Sequence, residues 1–176
     1  MKRIASVVAA LVALSACETG PAGPPIAPPG YPPPPPPASL FRDQDFAWST
    51  QPGTGRIDGA LAYGGNGGAY KCNDVILAPE TPWSRARMRA LYLSATAADV
   101  PVDQVRARTN EDEQAREYQR YARRTQCDAA GRFVFEGLPE GGWFVITVAT
   151  PAAGGARMAI MRRLTTSGGP VRVVLR

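Results

Sequence analysis

The chain has 176 residues, of which 44% are hydrophobic and 20% charged, and its formal net charge of +5 comes from 20 basic and 15 acidic side chains. The basic residues lie among acidic ones, which argues against a nucleic-acid-binding protein, because such proteins need a clustered basic surface. The sequence contains no histidine. This excludes the most common general base and metal ligand, so we expect neither an enzyme nor a bound cofactor or metal.

Residues 1–16 have the pattern of a secretory signal. Lys2 and Arg3 precede an apolar run from Ile4 to Leu14, which is too short to span a membrane. Small residues then lead to Cys17, and this arrangement resembles the lipobox of bacterial lipoproteins. The resemblance implies cleavage before Cys17, a lipid on its sulfur and an acylated amino terminus. The alternatives are an ordinary secreted protein with an incidental cysteine and an uncleaved membrane anchor.

The residue after Cys17 indicates in which membrane a lipoprotein is placed. In the lipoprotein sorting rule of bacteria with two membranes, aspartate at this position retains the protein in the inner membrane. Glu18 is not aspartate. The resemblance therefore implies a cell-envelope protein that lipid on Cys17 holds in the outer membrane, facing the periplasm. We expect its partner to be another envelope protein or the cell wall.

A proline-rich linker follows the lipid site, and together they occupy residues 17–39. Six consecutive prolines run from Pro32 to Pro37. Proline fixes φ and removes the amide donor, so we predict extended polyproline II that could reach roughly 60 Å at about 3.1 Å per residue. We interpret the segment as a spacer. The alternative is a ligand for a proline-binding partner.

Residues 40–53 connect the linker to a folded domain at residues 54–176. The aromatic side chains of this connecting segment could dock as an extra strand or form a short recognition motif; they are Phe41, Phe46 and Trp48. In the folded domain, short stretches of alternating apolar residues are separated by glycine and proline, which predicts strands. The predicted strands lie near 56–63, 71–78, 132–136, 143–149, 157–163 and 171–175. This pattern predicts an all-β sandwich of about six to seven strands.

One inserted helix is predicted at about 111–125. Asn110 has the residue type of an N-cap, and Glu113 stands three positions later, at capping-box spacing. Arginines cluster at the other end, where they suit the helix dipole. We interpret the helix as a solvated insertion lying on the sandwich; a partner-docking surface is the alternative.

The segment from Asp128 to Trp143 contains the motif D-x-x-G-x-F-x-F-x-x-L-P-x-G-x-W. It resembles carboxypeptidase regulatory-like domains, which have a transthyretin-like (prealbumin-like) β-sandwich fold. Residues 55–59 and 72–79 are similar to the first strands of that family, so the resemblance covers about residues 54–176. It implies a fold and no catalytic residue. Some relatives of this sandwich bind iron through histidine, and that chemistry cannot transfer to a chain without histidine.

Cysteine counting predicts a disulfide. The chain has three cysteines, and if Cys17 carries lipid, Cys72 and Cys127 remain as a pair in an oxidising compartment. We predict that these two are bonded to each other. Two separate buried thiols are the alternative.

Candidate ligand-binding and catalytic residues are few. Trp83 and Tyr92 could be stacking platforms for a sugar, although Trp83 could instead cover the sandwich edge. Asp74 and Glu80 are the candidates for a carboxylate pair in a hydrolase. We therefore expect a non-catalytic, lipid-anchored envelope protein that presents a β-sandwich interaction or scaffold module. The alternatives are a carbohydrate- or peptidoglycan-binding module and, less favoured by the composition, a hydrolase.

Overall fold

The structure, a computed structural model, describes residues 40–65, 68–109 and 113–176. The predicted signal, the lipid site at Cys17 and the linker lie outside the described residues, as does the predicted N-cap Asn110. Residues Pro37–Arg176 form one compact unit.

The described residues form ten β-strands, three α-helices and one 3-10 helix. In chain order these are the 3-10 helix Asp43–Thr50, β1 (Gly55–Leu61), β2 (Gly64–Gly65), β3 (Gly68–Lys71), β4 (Asp74–Pro79), α1 (Pro82–Tyr92), β5 (Ala97–Pro101), α2 (Val102–Ala107), α3 (Glu113–Gln119), β6 (Arg123–Gln126), β7 (Arg132–Leu138), β8 (Gly141–Pro151), β9 (Met158–Thr166) and β10 (Pro170–Leu175).

Two sheets organise these strands. The three-stranded sheet has the order β10-β1-β7, with β10 parallel and β7 antiparallel to β1. In the seven-stranded sheet, β8 pairs with β9 along one edge and with β3 and β4 along the other. Beyond these, β5 pairs with β9, β6 with β4, and β2 with β3. Strands β6 and β7 therefore each form an outer strand of their own sheet.

The first hydrophobic core lies between the two sheets. Strand β1 alternates buried and half-buried residues, as the sequence predicts, and Ile57 is fully buried. Phe133 and Phe135 of the neighbouring strand β7 lie beside it on the same sheet, while Trp143 of β8 comes from the other sheet. Burial of both inner faces drives the packing of two such sheets. The predicted all-β sandwich is confirmed.

A second hydrophobic core covers the opposite face of the larger sheet. Phe144 of β8 and Met161 of β9 point to this side and pack against the helices. Phe46 of the 3-10 helix is fully buried there, within ring-contact distance of Trp83 and Tyr118. The connecting segment therefore forms a docked 3-10 helix and not an extra strand.

Two predicted elements have different boundaries in the structure. Among the described residues, the helix predicted at 111–125 extends over Glu113–Gln119, and the residues from Arg123 to Gln126 form strand β6 instead. Pairing of β6 with β4 outweighs the local helical signals, because tertiary pairing overrides weak propensity. The strand predicted at 71–78 is interrupted at Cys72 and Asn73, so that it forms β3 and β4.

Helix α1 was not predicted, although its start has a clear sequence signal. Thr81 accepts a hydrogen bond from the Ser84 amide, and the Thr81 amide donates to the Ser84 hydroxyl. This reciprocal arrangement is a capping box, and Pro82 occupies the first helical turn, where it needs no amide donor. The predicted elements leave this signal unused, so the helix was missed.

Leu93 ends helix α1 in the left-handed region, with φ 60° and ψ 15°. Glycine usually occupies this position, because a side chain there costs roughly 1 kcal/mol. The Leu93 side chain is 72% exposed, so its removal leaves no cavity. Replacing Leu93 by glycine is therefore expected to raise the free energy of unfolding by roughly 0.5 kcal/mol.

Thermal and chemical unfolding would measure this change. Leu93→Ala is the matched control, because it removes the same side chain and keeps the backbone strain. Equal stability of the glycine and alanine variants would contradict the strain at this position.

Candidate functional site

A cleft of about 630 Å³ opens between the outer strands of the two sheets. One wall is β7 with the neighbouring part of β1, and the other wall is the end of β6 with the turn that follows it. This volume lies within the range of small-molecule sites in proteins. The cleft is lined by Asp58, Gly59, Thr125, Gln126, Cys127, Asp128, Arg132, Phe133 and Val134.

The disulfide between Cys72 and Cys127 supports one wall of the cleft. The Cα atoms of the two cysteines are 5.8 Å apart, within the usual range for a bonded pair. The bond joins the break between β3 and β4 to the residue after β6, and the Cys127 amide also donates to the Asn73 carbonyl. The predicted disulfide is confirmed, and it fixes the position of the lining residues next to Cys127.

Asp128 shapes the turn at the mouth of the cleft. Its Oδ1 accepts hydrogen bonds from the amides of Ala130 and Arg132, and its Oδ2 accepts one from the Arg132 guanidinium at 3.0 Å. These bonds, led by the one from the Arg132 amide, hold the pKa of Asp128 below its ordinary value. The carboxylate is therefore ionised and fixed in orientation.

Asp58 is the second carboxylate of the cleft. The Arg56 guanidinium donates to both of its oxygens, at 2.9 and 3.0 Å from Nε, and also pairs with Glu136. The bond from Arg56 lowers the pKa of Asp58, so this side chain is also a permanent acceptor at neutral pH. A carboxylate has about four lone-pair sites, which leaves capacity for a ligand.

The free edge of β7 adds backbone groups to the cleft. The Arg132 amide and carbonyl point away from β1, since both hydrogen-bond to Asp128. The Glu136 carbonyl also points outward and accepts from Arg123. Alternate residues of an edge strand share this orientation, so the amide and carbonyl of Val134 face the same way. The side chains of Asp128 and Arg123 thus bind the backbone groups at the two ends of this free edge. The backbone amide and carbonyl of Val134, between these ends, stay available to a ligand.

The floor of the cleft depends on a close approach of Phe133 to Gly59. A Cβ atom added to Gly59 would lie 2.0 Å from the Phe133 ring, which no real side chain could tolerate. The glycine therefore allows the ring to pack inward from β7, and Phe133 is buried. The apolar ring supports the floor from below, and Val134 adds exposed apolar surface to the polar groups of the lining.

The outer face of the three-stranded sheet adjoins the cleft. Val134 and Val174 are 37% and 49% exposed on this face, on either side of β1. Arg56, Asp58 and Glu136 form an ion-paired row beside them. This face therefore combines exposed valines with charges of both signs.

Trp83 and Tyr92, the sequence-predicted stacking residues, lie in the second core. Each is only 7% exposed, and burial raises the pKa of Tyr92 to about 12. The indole nitrogen of Trp83 donates to Gln114 of α3. Neither ring offers an open face to a ligand, so their position corresponds to packing, the alternative stated for Trp83.

The carboxylates considered for a hydrolase do not come together. Asp74 begins β4 and Glu80 follows its end, so an extended strand separates them by roughly 20 Å at about 3.3 Å per residue. The Glu80 side chain is 6% exposed and contacts Arg85 and Arg163 at 2.8 and 2.7 Å. Its position indicates an ion-paired anchor between α1 and β9.

Two further features concern the described part of the chain only. Among these residues, no group of three histidine, cysteine, aspartate or glutamate side chains is placed to hold a metal ion. None of the helices described there has the length and apolar character needed to cross a membrane. Cys17, the predicted lipid site, precedes the described residues.

The cleft residues were not recognised from the sequence. Thr125 falls in the helix predicted at 111–125 and Gln126 in no predicted element, so their place on an edge strand was not visible. Asp128 and Gly131 form a tight turn, in which the amide of Gly131 donates to the Asp128 carbonyl at 2.9 Å. The signal for a site was the run of polar residues from Thr125 to Asp128 beside a predicted disulfide cysteine.

The fold and the cleft define a two-sheet β-sandwich with an added helical layer. No protein-family model matches the sequence, and no curated protein matches it. Among solved structures, the chain is similar to a crystal structure of a protein from Pseudomonas aeruginosa described as a candidate carbohydrate binding protein. The two share 23% sequence identity with a TM-score of 0.50, and the match covers 78% of this chain and 98% of the other. At this identity the similarity concerns the fold.

Proposed function

We propose that the chain is a non-catalytic binding module of the bacterial cell envelope, displayed from the outer membrane by lipid on Cys17. The observation that carries this proposal is the cleft between β6 and β7, whose polar groups are fixed in position by ion pairs and a disulfide. Both of its carboxylates are paired with arginine, an arrangement that favours binding over proton transfer. The carboxypeptidase regulatory-like resemblance of residues 54–176 supports a structural module of this kind.

In this proposal the outer face of the three-stranded sheet contacts another envelope protein. Val134 and Val174 supply exposed apolar surface, and the neighbouring charges supply specificity. The polyproline linker predicted before the domain would hold it roughly 60 Å from the membrane, within reach of partners in the periplasm.

A carbohydrate- or peptidoglycan-binding module is the second candidate. It is favoured by the hydrogen-bonding groups in the lining of the cleft and by the fold similarity to the candidate carbohydrate binding protein of Pseudomonas aeruginosa. Sugar sites use carboxylate, amide, hydroxyl and guanidinium groups to bind hydroxyls, and the cleft has each of them. Its apolar ring, Phe133, is buried, so stacking contributes little to this candidate.

Replacing Cys17 by alanine tests the anchoring. The variant is expected to lose all incorporation of labelled palmitate, because the acceptor sulfur is gone, while Cys72→Ser keeps it. Intact mass of the wild-type protein should show loss of residues 1–16 and added acyl mass. A wild-type protein without acyl mass would refute the lipid anchor.

The membrane to which the protein is sorted is tested by a second variant. Glu18→Asp is expected to shift the protein from the outer to the inner membrane fraction.

A further inference from the structure

We propose that the cleft between β6 and β7 binds an uncharged, hydroxyl-rich glycan chain, in preference to uronate-containing or phosphorylated polymers. This inference rests on the proposed binding function and names the ligand class of the same site. It follows from the charge of the lining, from its hydrogen-bonding groups and from the rigidity of the walls.

The charge of the lining disfavours an anionic ligand. Asp58 and Asp128 are both ionised, and Arg132 is the basic side chain among the lining residues. Arg132 already pairs with Asp128, and Arg56 pairs with Asp58 from outside the cleft. Arg172 of β10 lies opposite Asp58 in the sheet and also lowers the pKa of Asp58. A ligand carboxylate or phosphate would therefore have to compete with Asp58 and Asp128 for these guanidiniums, and both carboxylates would repel it at short distance.

The same ion pairs disfavour a strongly cationic ligand. A lysine- or arginine-rich partner would have to displace Arg56 from Asp58, where three contacts of 2.7 to 3.0 Å hold it. Asp128 is similarly engaged by two backbone amides and by Arg132. The lining is thus close to electrically balanced, which suits a neutral ligand.

Hydrogen-bonding capacity in the cleft matches hydroxyl groups, which both donate and accept. The carboxylates of Asp58 and Asp128 keep unused lone pairs, so they can accept from hydroxyls. Gln126 lies exposed at the end of β6, and its amide can donate and accept at once. Arg132 uses only its Nε in the bond to Asp128, which leaves its terminal nitrogens as donors. The backbone of Val134 adds one donor and one acceptor on the opposite wall.

The walls are rigid before a ligand binds. The disulfide holds the turn after β6, and Asp128 ties this turn to the first residue of β7. Preformed polar groups lose little conformational entropy on binding, so several modest hydrogen bonds can add up to a useful affinity. An open cleft with these properties is suited to binding an internal segment of a long glycan chain.

Calorimetry and affinity electrophoresis on the unit Pro37–Arg176 would test the inference, since both hydrophobic cores lie within it. The probes are soluble mannan, galactan and β-glucan as neutral chains, with polygalacturonate as the anionic chain. Binding to at least one neutral chain and none to polygalacturonate is expected. Gln126→Ala should weaken the neutral interaction about fivefold, the effect of one lost hydrogen bond.

Two variants provide the controls. Gln119→Ala removes an exposed glutamine from α3, outside the lining of the cleft, and should leave binding unchanged. Asp58→Asn preserves the shape of the side chain and removes one negative charge, so it should reduce the discrimination against polygalacturonate. A purely structural role of Asp58 would not change this ratio between probes.

The outcomes separate the glycan inference from the binding function. Binding to polygalacturonate alone, or to none of the probes, overturns the glycan inference. Retention on purified cell wall or crosslinking to an envelope protein, with no effect of Gln126→Ala, also overturns it and keeps the proposed function. A protein found in the cytosol by cell fractionation would instead overturn the proposed function itself.

Discussion

Replacing Phe46 by alanine is expected to lower the free energy of unfolding by about 3–5 kcal/mol, the usual cost of emptying a buried aromatic site. The side chain is fully buried in the second core, stacked on Tyr121 at 4.7 Å between ring centroids and tilted against Phe41 at 5.0 Å. Its loss would also release the 3-10 helix that precedes β1. Urea-induced unfolding followed by tryptophan fluorescence would measure the change.

Leu40→Ala is the control for this prediction. Leu40 is exposed ahead of the same helix, so its truncation should change the free energy of unfolding by less than about 0.5 kcal/mol. If Phe46→Ala and Leu40→Ala were equally stable, the aromatic segment would not be docked in solution, and the fold would begin nearer β1.

Removing the disulfide by replacing Cys72 and Cys127 with serine should lower the free energy of unfolding by about 4 kcal/mol. The two cysteines are 55 residues apart, and the chain-entropy estimate for a closed loop of that length gives this value. The effect arises mainly in the unfolded chain, which regains freedom when the loop opens. Equilibrium unfolding of the unit Pro37–Arg176, which lacks Cys17, would measure it.

Reduction provides the matched comparison. Dithiothreitol should destabilise the wild-type unit by a similar amount and leave the serine variant unaffected. In addition, two alkylatable thiols should become accessible in the unfolded wild-type unit only after reduction. Two reactive thiols before reduction would contradict the bond.

The sandwich was predictable because its inner strands have strong local patterns. Ile57 in β1 lies between two charged residues, Phe133 and Phe135 occupy alternate positions of β7, and each of the three is buried in the structure. Such alternation reports which face of a strand meets the core, without knowledge of its neighbours. The disulfide was predictable from cysteine counting.

The edge strands were harder to predict. Strand β6 contains two arginines, a threonine and a glutamine, which have no apolar alternation and follow a helical signal. It is a strand because β4 offers its backbone groups for pairing, a long-range effect that no local pattern shows. The cleft depends on this edge, so its residues could not be assembled from the sequence.

Helix α1 was missed for a different reason. Thr81, Pro82 and Ser84 form a complete N-terminal signal, but the sequence prediction considered only the strand that precedes them. Trp83 and Tyr92 then seemed to be surface aromatics, whereas helix α1 buries both. Recognising the capping box would have moved these two residues from binding candidates to core residues.

Docking of the 3-10 helix determines which part of the domain would first bear a mechanical force on the preceding chain. Tension on the chain ahead of Leu40 acts first on Phe46 in the second core, and on Ser49, whose carbonyl accepts a bond from Arg123 at 3.2 Å. The strands β1 and β10 follow later in the chain and are paired in parallel over six residues. Pulling would therefore release the 3-10 helix before it loosened the pairing of β1 with β10 and β7.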